Sequence, residues 1–149
     1  VALGALVLAL VVGCSFNSEA STPTPAPSAT PNLGMMCVEI KNYVVKADAI
    51  EDYWNRNISG IGIDAIAAAS VRDYRGLVAG ANNTAISPPP FGATSGAVAL
   101  YEVVRAHQAA LDQTSSDLNR RDLAPLQQSR NAVRAARRDI DAYRAQICP

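Results

Sequence analysis

Few residues in this 149-residue chain belong to types that carry chemistry, so each can be weighed alone: three cysteines, one histidine, two carboxylate pairs and a run of arginines. His107 is the sole histidine, and an imidazole on an inward helical stripe could ligate a haem or metal or act as a general base. Tyr101 and Tyr74 are the aromatic residues expected beside it in such a ligand-binding core. The histidine has no Cys-x-x-Cys-His, His-Glu-x-x-His or Glu-x-x-His context, which favours an imidazole bonded to a neighbouring helix at the core edge. No metal site is expected, and no cofactor is required. Glu51 with Asp52, and Asp139 with Asp141, are carboxylate pairs on polar helix faces rather than in a cleft that would push their pKa values apart.

The arginines are more organised. Arg130, Arg134, Arg137, Arg138 and Arg144 share a broad face of the last helical segment, and by helical angle Arg130, Arg134, Arg137, Asp141 and Arg144 form one strip. Facing outward, such a strip would suit an anionic partner: a headgroup, an acidic envelope polymer or an acidic protein surface. The competing use is ion pairing with Asp139, Asp141 and the acidic face of the first helix, and the commonness of exposed pairs favours it. Formal net charge is zero, which argues against nucleic acid as a partner.

The elements that must position these residues are helices. Leu33, Met36, Cys37, Ile40, Tyr43, Val44, Ala47, Ile50 and Trp54 recur at threes and fours, predicting an amphipathic helix over 34–56. Two glycines, Gly60 and Gly62, break the pattern, and Ile63, Ile66, Tyr74, Leu77 and Val78 carry a second helix over 63–81. Pro88, Pro89 and Pro90 forbid its continuation, because each lacks the backbone donor and clashes with the preceding turn. A third helix runs from Thr94 or Ser95 to Asn119, with Leu100, Val104, His107, Leu111, Thr114 and Leu118 inward. The fourth starts near Asp122, tolerates Pro125 in its first turn and turns Leu126, Val133, Ala136, Ile140, Tyr143 and Ile147 inward. No segment alternates with period two for long enough to be a strand, so the class is all-α, an up-down-up-down four-helix bundle.

Helix parity then bears on the cysteines. Cys37 falls in the first turn of the first helix and Cys148 just past the last turn of the fourth, and only an even number of long helices returns those two points to one end. A disulfide between them and an even helix count support each other. Closing a loop of about a hundred residues is worth about 4.7 kcal/mol in a chain-entropy treatment, a large share of a small domain's stability.

The front of the chain differs in composition. Val1 to Val12 carries no charged or polar side chain and is too short to span a bilayer. It leads into Leu10-Val11-Val12-Gly13-Cys14, which resembles the lipobox of a bacterial lipoprotein. The resemblance covers residues 1–14 and implies cleavage before Cys14, acylation of its thiol, and anchoring of the chain by lipid on the extracytoplasmic face of a cell membrane or outer membrane. Acylation accounts for the third cysteine. Residues 14–32, rich in Ser, Thr and Pro with Pro23, Pro25, Pro27 and Pro31, have too few apolar groups to form a core and are expected to act as an extended spacer. At about 3.1 Å per residue such a spacer reaches roughly 50 Å. The expectation is three parts: signal 1–13, lipidated spacer 14–32 and bundle 33–149.

The function this supports is a binding or structural module of the cell envelope, non-enzymatic and tethered through Cys14. The second reading is a small-ligand or haem carrier around His107. A third, an envelope enzyme, would need a nucleophile beside a base, and the sequence identifies no such pair.

Overall fold

The computed structural model describes residues 32–148. The signal segment, Cys14 and the spacer up to residue 31 lie outside the described residues. Four α-helices account for most of the remainder: α1 (Leu33–Asn57), α2 (Ala68–Asn82), α3 (Ser95–Arg120) and α4 (Leu123–Ile147). Among the described residues there are no strands, and the helices pack as an up-down-up-down four-helix bundle. None is long and apolar enough to cross a membrane.

Each helix forms where local chemistry starts it and an apolar stripe holds it. The Asn32 side chain accepts the Met35 amide at 2.6 Å and caps α1. Below it Met36, Ile40, Tyr43, Ala47, Ile50 and Trp54 are buried at the expected spacing. Thr94 caps α3 by accepting the Ala97 amide. α3 and α4 are the most extensively packed pair. Their approach is so close at one end that a Cβ on Gly96 would lie 2.8 Å from Ile147 Cδ1.

Two connections depart from the expected pattern. The turn between α3 and α4 is a Schellman motif, with the Asp122 amide bonded to the Asp117 carbonyl and the Arg121 amide to that of Leu118. Its left-handed position, which favours glycine, is held by Arg121 at φ 57°. The Arg121 guanidinium explains the second departure. It donates to the Ile63 carbonyl at 2.7 Å and the Ile66 carbonyl at 2.9 Å. The expected helix over 63–81 is therefore split: Ile63–Ala65 is a single 3-10 turn, Ile66 and Ala67 are extended, and α2 begins only at Ala68. The proline-rich connector between α2 and α3 is tied to α1, because Ser87 donates its amide and its hydroxyl to the Glu39 carboxylate.

Cys37 and Cys148 are joined by a disulfide across α1 and α4, with Cα atoms 5.5 Å apart and a separation of 111 positions in sequence. The buried core runs from Met36 to Ile140, nearly all of it within the loop this bond closes, so the bundle buries its own core. Replacing both cysteines by serine is expected to lower unfolding free energy by about 4 to 5 kcal/mol. Urea titration monitored by circular dichroism measures it, and a reductant should reproduce the loss in the wild type while leaving the double variant unchanged.

Candidate functional site

The arginine strip of α4 turns toward α1 rather than toward solvent. Arg130, expected on an outward face, is 4% exposed. Its Nη2 donates to both Glu51 carboxylate oxygens, at 2.9 and 2.7 Å, and its guanidinium carbon sits 4.1 Å from the centroid of the Trp54 ring. Periodicity assigns a charged residue to the outside by default. Here a carboxylate and an aromatic face on the neighbouring helix offset the cost of desolvating it. Tyr74 packs edge-on against the other part of Trp54, with ring centroids 5.6 Å apart. Burial pushes its hydroxyl up to about 12, and the charge of Arg130 opposes the shift. The Arg130 Nε and Nη1 atoms and the Tyr74 hydroxyl are buried without a hydrogen bond of good geometry.

The other arginines divide. Arg137 bonds to Asp48 on α1 and, through Nε at 3.2 Å, to Asp141 one turn along α4. Asp48 and Asp141 thereby hold it in its charged form against the partial burial that disfavours it. Arg138 is exposed. Arg144 is half-buried beside Lys41 and the disulfide. Arg134 is exposed and makes no ion pair among the described residues. Asp139 takes no part in this pairing, whereas Glu51 and Asp48 of the first helix do.

Arg130 and Arg134 both line a groove of about 390 Å³ at the end of the bundle opposite the disulfide. That volume falls in the range of small-molecule sites. Its walls come from the end of α1, the α1–α2 connector and the start of α4: Trp54, Ile58, Ile61, Ile66, Leu123 and Leu126 supply most of the apolar surface. Ser59, Gln127 and Asn131 add neutral polar groups, and no carboxylate lines it. Ile61 and Leu123 are 45% and 53% exposed at its rim. Sequence reasoning missed this groove, because three of its isoleucines lie in a segment that reads only as a connector and a helix start.

His107 is 2% exposed in the middle of α3. Its partner is Tyr43 on α1, whose hydroxyl lies 2.6 Å from Nδ1 with the rings edge to face. In the tautomer that carries its proton on Nε2, Nδ1 accepts the hydroxyl. Tyr74 and Tyr101, expected beside the histidine, do not share its cavity. Tyr74 belongs to the Trp54 cluster and Tyr101 is a half-buried residue packed on the core. The cavity that His107 does line, between α1, α3 and α4, is about 230 Å³ and includes Asp48, Glu51, Arg134, Arg137 and Asp141, so Arg134 stands between this cavity and the groove. It is smaller than usual ligand sites. Among the described residues no group of three or more His, Cys, Asp or Glu side chains could hold a metal ion.

No protein-family model, curated protein or solved structure matches this chain.

Burial, reinforced by the positive charges of Arg137 and Arg130, lowers the His107 pKa from 6.5 to about 4. The folded state thus holds the ring neutral where the unfolded chain would protonate it. A depressed folded value means that the unfolded state binds more protons between those two pH values, so stability is full above pH 6.5 and falls as pH drops toward 4. The loss is of the order of 3 kcal/mol. Urea midpoints measured from pH 7.5 to 4.5 should decline in the wild type, with a flatter profile for His107→Gln.

Proposed function

We propose that this protein is a lipid-anchored extracytoplasmic module that presents a binding groove away from the membrane to which it is tethered. One observation carries the reading: both ends of the folded domain, residue 33 after the spacer and Cys148, lie at the disulfide end, while the groove lies at the other. α1 has 25 residues, so its two ends stand roughly 37 Å apart at 1.5 Å per residue. A tether through Cys14 places the clamped end toward the lipid and the groove toward whatever approaches from outside.

The disulfide supports the compartment, since such bonds persist in oxidising surroundings outside the cytoplasm. Clamping the end from which the spacer leaves also suits a tethered domain, because force transmitted along the spacer can unwind only the residues of α1 that precede Cys37 before a covalent bond bears it. The apolar groove with two arginines and no lining carboxylate supports a binding role in preference to a purely structural one.

The anchor is tested in a bacterial host supplied with labelled palmitate. The wild-type chain should incorporate label and sediment with membranes, and Cys14→Ser should do neither. A wild-type chain that is unlabelled and stays soluble would overturn the reading.

A further inference from the structure

The groove has the two halves of a receptor for a single-chain amphiphile with an anionic head. Its apolar half is Ile61 of the connector and Leu123 of α4, exposed at the rim, over a floor of Trp54 from α1, Ile58 and Ile66 from the connector and Leu126 from α4, which are almost wholly buried. Its polar half is cationic. Arg134 is exposed and has no carboxylate partner among the described residues. Beneath it Arg130 spends Nη2 on Glu51, and its Nε and Nη1 are buried near the Tyr74 hydroxyl without a hydrogen bond of good geometry. A buried guanidinium with unspent donors is costly unless something accepts from them. An anion seated on Arg134 would add a second negative charge close to this group.

We propose that the groove binds a fatty-acid-like carboxylate, its acyl chain between Ile61 and Leu123 and over the edge of Trp54, and its head on Arg134 with Arg130 behind it. Charge complementarity selects this occupant: among the described residues the only ionised side chains that line the groove are two arginines, Arg130 is already paired with Glu51, and Arg134 is left to hold an anionic head. The exposed rim residues Ile61 and Leu123 mark where the chain enters. The inference rests on the reading of this end as the presented one, and names what is presented to.

Trp54 is the sole tryptophan and forms part of the groove wall, so its fluorescence reports occupancy directly. The chain from Ser15 onward retains the whole disulfide-closed bundle and carries no acyl group to compete. Titrated with dodecanoate below its micelle concentration, it should show a saturable change in Trp54 emission at micromolar ligand, and dodecanol should bind at least tenfold more weakly. Arg134→Gln, at an exposed position, should weaken dodecanoate about tenfold or more, as expected for loss of a charge-assisted hydrogen bond, and leave dodecanol unchanged. Ile61→Asp at the rim should weaken both.

Equal affinity for acid and alcohol, indifference to Arg134→Gln, absence of a saturable signal, or tighter binding of an acidic apolar peptide than of dodecanoate would each overturn the proposal. Its failure is separable from that of the tether. Loss of amphiphile binding with palmitate labelling intact removes only the ligand, whereas binding by a chain that is never acylated removes only the anchor.

Discussion

One covalent contact sets the register of the bundle. The Cys37–Cys148 bond fixes a single level at which α1 and α4 run side by side in opposite directions. Because both helices rise by the same 1.5 Å per residue, residues equally far from the two cysteines come level. Asp48 lies eleven residues after Cys37 and Arg137 eleven before Cys148, and they form an ion pair. Trp54 lies seventeen after and Arg130 eighteen before, and the guanidinium rests on the indole. The disulfide thereby does more than shorten the unfolded chain's repertoire: it selects the pairing of the charged seam.

That seam is wider than its neighbours. α3 and α4 pack closely, with Gly96 against Ile147, whereas away from the disulfide the backbones of α1 and α4 stand further apart. Long side chains fill the difference. An arginine can reach across with its charged group and cover apolar surface with its stem, which an aliphatic residue of the same reach cannot do. The small cavity beside His107 belongs to the same gap. A neutral imidazole suits it, since the ring sits among arginines that would repel a second positive charge.

How much of this could be read from the sequence follows from what periodicity measures. Apolar spacing gave all four helices, and helix parity brought Cys37 and Cys148 to one end. It could not give the direction of the arginine strip, because polar residues are assigned outward unless a partner helix is known, and Glu51 and Trp54 lie far away in sequence. The interruption at Ile66 and Ala67 was hidden for a related reason. Its cause is Arg121, more than fifty residues later, which occupies the carbonyls of Ile63 and Ile66. Tyr43 and His107 were both on inward stripes, yet their pairing depends on α1 and α3 running in the same direction. Each lies about three turns from the start of its helix, a correspondence that only the topology supplies.

The groove follows from the same geometry. Two helices clamped at one end and spaced by arginines further along leave an opening where the last spacer, Arg130, is used up and the chain must turn. The α1–α2 connector closes that opening only in part, because Arg121 pulls its carbonyls toward the α3–α4 turn and holds Ile66 extended. Ile58 and Ile66 still bury themselves against the bundle, but Ile61 does not. An apolar rim beside Arg134, which makes no ion pair among the described residues, is thus a consequence of where the clamp sits. Moving the disulfide to the other end would place the tight crossing at Trp54 and Leu126 and leave no room between them.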